Sequence, residues 1–276
     1  MKKFLGIFCI TLLSATIAYG QRELTIIHVN DTHSHLEPIR SGSQKGFGGV
    51  IERAAFRDSV VKADGRRNVL FLHAGDFSQG TSYFTVLKGD VEIEMINALK
   101  YDCITLGNHE LDNGVDELAR RVSKVKCPVV VANYDFSNLE LGKYVRPYAV
   151  VKKAGKRIGI IGLMPDISTL VSKEIAERIP AIEPAEAVNK WAAYLKDAKK
   201  CDLVILLSHL GFDGGNEKNP SDQIVAASSR NVDFIIGGHS HTFLKDAVEV
   251  ENLDGELVPI MQAGCKGIEI GELKIY

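Results

Sequence analysis

The sequence has no CxxC pair, no low-complexity tract, no Pro-rich or Gly-rich linker and no surplus of charge of either sign. Each absence excludes something. Without paired cysteines, a thiolate zinc site is not indicated. With 33 Lys and Arg against 35 Asp and Glu, a formal charge of −2, the chain lacks the basic footprint that binds a nucleic-acid polymer or an anionic membrane. Basic residues occur only as short pairs such as Arg66-Arg67 and Lys199-Lys200. The long apolar run is confined to the N-terminus. There Lys2-Lys3, an apolar stretch from Phe4 to Ile17, and Ala18-Tyr19-Gly20 predict a secretory signal peptide over residues 1–20, cut before Gln21. The run falls short of the roughly 20 residues that span a bilayer. Residues 21–276 are therefore expected to be exported to the periplasm or the extracellular space, as a single domain with no membrane attachment. Four cysteines remain in that part, Cys103, Cys127, Cys201 and Cys265. An exported protein could join them in disulfides. Their wide spacing, and the apolar runs that Cys103 and Cys201 open, predict buried free thiols instead.

What the chain does have is one repeated layout. An apolar β-rich run ends abruptly in polar, often Gly-flanked residues, five times over. Leu24 to Asn30 leads into Asp31-Thr32-His33-Ser34-His35, and Val69 to His73 into Ala74-Gly75-Asp76. Cys103 to Leu106 leads into Gly107-Asn108-His109-Glu110-Leu111-Asp112. Asp202 to Leu207 ends at Ser208-His209, and Asp233 to Ile236 at Gly237-Gly238-His239-Ser240-His241. Helical periodicity lies between these runs: Gly49–Ala63 with Ile51, Ala54, Ala55, Val60 and Val61 toward a core, Ser82–Leu99 as one helix, Asn113–Val125, Thr169–Arg178, Pro184–Lys199 and Ser221–Ser229. Further strands are expected at Val129–Asn133, Tyr148–Val151, Arg157–Leu163, Leu257–Gln262 and Ile268–Tyr276. Strands alternating with helices make an α/β fold, and such folds place ligand groups just beyond their strand ends.

All eight histidines, His28, His33, His35, His73, His109, His209, His239 and His241, lie in or beside these five segments. Asp31 and His33, like His239 and His241, are spaced by two, so at a strand end each pair would point one way. Imidazoles and carboxylates gathered at strand ends predict a metal centre. Oxygen and nitrogen ligands suit Zn, Mn, Fe, Co or Ni without choosing among them. Two divalent ions about 3.5–4 Å apart can activate water and clamp a phosphoryl group.

Asn30-Asp31-Thr32-His33, Gly75-Asp76, Gly107-Asn108-His109-Glu110, Ser208-His209 and Gly237-Gly238-His239-Ser240-His241 resemble the calcineurin-like metallophosphoesterases. In detail they resemble the catalytic domain of secreted 5′-nucleotidases. The resemblance implies a four-layer α-β-β-α sandwich of two mixed sheets. It implies one divalent ion on Asp31, His33, Asp76 and His241, and a second on Asp76, Asn108, His209 and His239, with Asp76 bridging. Position 241 is a small departure, since some relatives carry Gln or Asn there. His109 and Asp112 match the family's catalytic dyad. Asn108 and Asn133 are expected near the substrate phosphate, with orienting the dyad or a simple strand cap the alternatives for Asn133. His28, His35, His73 and Glu110 are expected to support or pack rather than ligate. The implied activity is hydrolysis of a small phosphate ester, foremost a nucleoside 5′-monophosphate. The alternatives are a broad phosphomonoesterase, a cyclic-nucleotide or nucleotide-sugar diesterase, and a non-catalytic metal- or nucleotide-binding subunit. The family's second, nucleotide-binding domain has no counterpart before Tyr276, so a separate chain supplying it is a further expected partner.

Overall fold

The computed structural model describes residues 23–276; the expected signal peptide lies outside the described residues. Twelve strands form two six-stranded mixed sheets. The first contains β1 (Leu24–Val29), β2 (Val69–Ala74), β3 (Cys103–Thr105), β4 (Val129–Val130), β5 (Val145–Arg146) and β12 (Gly271–Ile275), ordered β12-β1-β2-β3-β4-β5. The second contains β6 (Tyr148–Lys153), β7 (Lys156–Leu163), β8 (Leu203–Ser208), β9 (Phe234–Ile236), β10 (Val248–Glu251) and β11 (Leu257–Met261), ordered β10-β11-β9-β8-β7-β6. β1 to β5 run parallel, as do β7, β8, β9 and β11. β12, β6 and β10 are the antiparallel edges.

Strand alternation distributes the apolar residues among the layers. Leu24, Ile26, Leu70, Leu72, Ala74, Ile158, Ile160, Ile205 and Leu207 form the core between the sheets. Their neighbours Ile27, Val29, Val69 and Phe71 face α1 (Val50–Asp64), α3 (Asp90–Leu99) and α4 (Val115–Val122). Val204, Leu206 and Ile235 face α6 (Pro184–Asp197) and α7 (Asp222–Ala227). Strands buried on both sides are apolar throughout, which is why these runs do not alternate in sequence. The α-β-β-α sandwich is the expected one. At one end the sheets touch: Ala132 N–H donates to Gly162 O at 2.8 Å. The described cysteines are free thiols, with Cys103 and Cys201 buried.

Several elements depart from the sequence reading. The expected helix Ser82–Leu99 is two helices, α2 (Ser82–Leu87) and α3, broken at Lys88 (φ 55°) and Gly89 (φ 94°). A side chain at Gly89 would collide with the guanidinium of Arg121, which enters here from α4 fully buried. In α1, Ile51 is 75% exposed, and Arg53 occupies the core-facing place in that turn. The expected strand Val129–Asn133 pairs only over Val129–Val130. Thr169–Arg178 holds a short helix, α5 (Lys173–Glu177), after a 3₁₀ turn. β5 and the exposed edge strand β10 were not anticipated.

His28 shows how a histidine can be purely structural. It pairs across from Gly271 of β12, where any Cβ would collide with its ring, and its Nδ1 has no partner. Burial holds this imidazole down, to about 4. The unfolded chain protonates it at about 6.5, so the native state is neutral where the unfolded state is charged. Stability is thus complete above that pH and falls as pH drops from 6.5 toward 4, by about 3 kcal/mol in total. We expect His28→Leu to lose this share of the acid sensitivity. Urea unfolding at pH 7 and pH 4.5 checks it: the same pH dependence in both proteins would contradict the assignment.

Candidate metal centre

Because β1, β2 and β3 are parallel, and β8 and β9 are parallel, their C-terminal ends open on one edge of the sandwich. Asp31 and His33 follow β1, Asp76 follows β2, Asn108 and His109 follow β3, His209 follows β8, and His239 and His241 follow β9. The spacing-by-two pairs converge by a route other than strand alternation. Asp31 (φ 48°), His33 (45°), Asp76 (52°), His239 (71°) and His241 (54°) all adopt the left-handed conformation beyond their strands. That conformation is unfavourable for residues with a Cβ and persists only where surroundings enforce it. Here the loops after β1 and β2 enforce it on each other: Asp31, His33 and Ser34 N–H groups donate to Gly75, Asp76 and Phe77 carbonyls, each at 3.0 Å.

Two ligand groups result. Asp31, His33 and His241 form one, and Asp76, His209 and His239 the other; within each, the ligand atoms lie within 4.8 Å of one another. In the first, His33 Nε2 and His241 Nε2 are 2.9 Å apart, and Asp31 Oδ1 is 3.7 and 3.3 Å from them. Asp31 Oδ2 accepts from His239 N–H (2.9 Å) and Asn30 Nδ2 (2.7 Å), while Oδ1 takes only the longer branch of the His239 N–H (3.2 Å) and faces the imidazoles. In the second, His209 Nε2 lies 3.0 Å from Asp76 Oδ2 and 3.6 Å from Asp31 Oδ1, so the two groups adjoin.

The donor set fits divalent cations. His209 Nδ1 is 2.6 Å from Ala74 O, which can only accept, so Nδ1 carries a proton and Nε2 is the nitrogen left to offer a lone pair to a cation. His209 Nε2 is buried facing only carboxylate oxygens, and Asn108 Oδ1 is buried without a hydrogen-bond partner. A cation would satisfy both. Gly107 makes the approach possible, since a Cβ there would overlap Asp76 Oδ1 and crowd His209 Nε2.

The titration behaviour has the same origin. Without a cation, burial pulls His209 down, but the Asp76 and Asp31 carboxylates outweigh it and push the imidazole up to about 10, so a bound cation would take the place of the Nε2 proton that faces Asp76. Burial pushes Asp76 up, yet His209 outweighs it and holds that carboxyl well below the usual range. Each group demands an opposite charge beside it. Burial and the neighbouring His209 hold His239 down, to about 4. His241, 43% exposed, is pushed up to about 10 by its contact with Asp31 and is the open side of the cluster.

Beside the ligands, His109 Nδ1 lies 3.0 Å from Asp112 Oδ2, and this hydrogen bond pushes the imidazole above its ordinary range. The His109 N–H donates to Asp76 Oδ1 at 3.0 Å, linking the dyad's backbone to the second ligand group. The Asn133 amide is engaged at both ends with Met164, donating to its O (2.7 Å) and accepting from its N (2.9 Å). It ties the exit of β4 to that of β7, and the same residue lines the groove beside His239. His35 Nδ1 lies 2.8 Å from His33 O, and His73 Nε2 lies 3.0 Å from Thr32 Oγ1.

The frame around these groups contains Glu110 in the supporting role expected of it, and Arg121, which the sequence reading does not single out. Fully buried Glu110 accepts N–H groups of Asp76 (3.0 Å), Ser78 (2.9 Å) and Gly107 (2.6 Å), clamping two ligand loops together. Arg121 Nη2 donates to Glu110 O at 2.7 Å. Gln262 and Asn30 brace the loops of Gly238 and Asp31. The one available signal for Arg121 was a charge on the apolar face of an otherwise amphipathic helix.

A two-sheet sandwich that brings two carboxylates, four imidazoles and an amide together from the ends of its parallel strands defines a class built to hold two metal ions beside an imidazole–carboxylate pair. Within that class the chain belongs to the calcineurin-like phosphoesterase family, whose profile matches residues 24–243. It is 33% identical to a human 5′-nucleotidase over 94% of the chain and 47% of that protein. It is 35% identical to a probable 5′-nucleotidase of Treponema pallidum over 93% of the chain and 45% of that protein. A snake venom 5′-nucleotidase of Naja atra is 32% identical over 93% of the chain and 50% of that protein. A 5′-nucleotidase precursor of Thermus thermophilus superposes with a TM-score of 0.82 at 35% identity, covering 92% of this chain and 51% of that one. The chain thus spans about half the length of the relatives it matches.

Proposed function

We propose that this chain hydrolyses phosphate monoesters, with nucleoside 5′-monophosphates as the preferred class, and that it acts after export. The observation that carries the reading is the junction of two ligand groups with a carboxylate-held imidazole on their open side. Asp31, His33 and His241 would hold one divalent cation and Asp76, Asn108, His209 and His239 the other, with Asp76 shared. Bound there, such ions supply an activated water and neutralise the phosphoryl oxygens. His109, kept protonated by Asp112, faces the developing charge. As water adds to phosphorus and the bond to the leaving oxygen breaks, that oxygen takes the His109 proton. Asp112 holds the ring in the tautomer that can deliver it.

Next to His239 a groove of about 450 Å³ is lined by Tyr134, Pro165, Leu170, Ile182, Lys218 and Pro220 among others. Its size suits a small-molecule leaving group. The names of the relatives and the export signal read from residues 1–20 support a nucleotide substrate and an exported enzyme. Among the described residues, no helix is long and apolar enough to cross a membrane.

The test is a substrate panel. Protein stripped by chelator is reloaded with Mn, Co, Zn or Mg, and product release is followed from AMP, an aryl phosphate, a cyclic nucleotide and a UDP-sugar. We expect metal-dependent turnover, with kcat/KM for AMP at least about tenfold above the diesters, a margin of about 1.4 kcal/mol. Preference for a diester would replace the reading. Two bound ions without turnover on any substrate would establish the non-catalytic alternative.

A further inference from the structure

Beneath the loop that carries Asp31 and His33, between the first sheet and helices α1 and α3, lies a small chamber. It is lined by Thr32, Ser34, Arg53, His73, Glu92 and Tyr101 together with apolar side chains of α3. All six are at least nine-tenths buried. Seven of its polar atoms lack a well-formed partner: Arg53 Nε and Nη1, both carboxylate oxygens of Glu92, His73 Nδ1, Tyr101 OH and Ser34 Oγ, the last lying near the Glu92 carboxylate. Unpaired buried polar groups are rare in folded proteins, and each is expensive to leave bare. Seven around one space require a common partner.

The space itself limits what that partner can be. The volume open to the centre of a water-sized sphere is about 20 Å³. That accommodates about one or two waters and excludes a metabolite. The chamber holds one guanidinium and one carboxylate, so it carries no net charge for an ion to neutralise. It needs a molecule that accepts from Arg53 and donates to Glu92, and water does both. We propose that ordered water bridges Arg53 to Glu92, His73, Ser34 and Tyr101, and that this hydrated pair positions the loop bearing His33.

The roof of the chamber is the strained backbone itself. His33 and Ser34 are left-handed (φ 45° and 55°), Thr32 Oγ1 rests on His73 Nε2 at 3.0 Å, and Arg53 Nη2 reaches His35 O at 3.5 Å. Gly267 leaves room for Arg53, whose guanidinium a Cβ would strike. Burial lowers the pKa of Arg53 and raises that of Glu92, as expected of charged groups held away from water. Removing either group would take away one side of the shared hydrogen-bonding shell and leave the polar atoms opposite it unsatisfied, and the loop would relax at their expense. Arg53 and Glu92 are therefore positioning residues for a metal ligand, an inference that rests on reading His33 as one.

Two measurements test it, and neither needs turnover. A high-resolution crystal structure of the metal-loaded protein should show water within hydrogen-bond distance of both Arg53 and Glu92. A dry chamber, or a direct Arg53–Glu92 ion pair, overturns the proposal. In parallel, metal affinity is measured by chelator competition for Glu92→Gln, Arg53→Met and the double variant. Each single change should weaken metal binding about tenfold, the usual effect of disturbing a ligand's support, and the double variant should be no weaker than the worse single. Unchanged affinities, or losses that simply add, overturn the positioning role. Wild-type protein that binds two ions with water in the chamber but lacks phosphatase activity would remove the proposed function and leave this inference standing.

Discussion

Asp76→Asn is expected to lower kcat by more than about 10³-fold, beyond the 10- to 100-fold typical when a residue merely supports a ligand. The change preserves shape, and Asp76 is buried, so secondary structure should be retained. What disappears is the negative charge that His209 faces at 3.0 Å, and that both proposed cations would share. An amide can instead donate to His209 Nε2, which consumes the lone pair that a metal requires. Metal analysis after dialysis should accordingly find fewer than two bound ions per chain while the circular-dichroism spectrum is unchanged. A folded Asp76→Asn protein with two ions and near-normal turnover would remove Asp76 from the shared position.

The second large effect concerns the dyad. His109→Ala should reduce kcat by about 10²- to 10⁴-fold, the range for loss of a general acid, with both ions still bound. Asp112→Asn should fall in between, and its pH profile is more informative than its size. Because the Asp112 hydrogen bond raises the His109 pKa, the protonated imidazole persists to higher pH in the wild type. Without that carboxylate, the proton leaves at lower pH and the alkaline limb of kcat should move downward. His109 and Asp112 are each about one-third exposed, so substitution should leave stability nearly unaltered. A limb that stays in place would show that the titration belongs to another group.

The particular elements explain why some of this was readable from sequence. Strands buried on both faces are apolar without interruption, so β1, β2, β8 and β9 announce themselves, and the polar residues ending each run stand out. The α2–α3 break was not readable, because its cause is Arg121, a residue more than thirty positions downstream that occupies the space beside Gly89. Ile51 looked like a core residue by period, yet the helix is rotated so that Arg53 faces the chamber. The Asn133 amide's engagement with Met164 was equally unreadable, because that partner arrives from the other sheet.

By itself the sequence determined the inventory of candidate ligands. A run of buried β residues followed by Asp, His or Asn fixes which groups arrive at a strand's end, because the hydrophobic effect places the run and leaves the polar tip outside it. The tertiary structure decided how they meet. Asp31 with His33, and His239 with His241, converge through left-handed turns held by hydrogen bonds to a neighbouring loop, not through strand alternation. The division into two adjoining ligand groups and the Glu110 clamp, like the water-sized chamber behind His33, depend on segments far apart in the chain. Local propensity carries no information about such distances; packing of the two sheets supplies it.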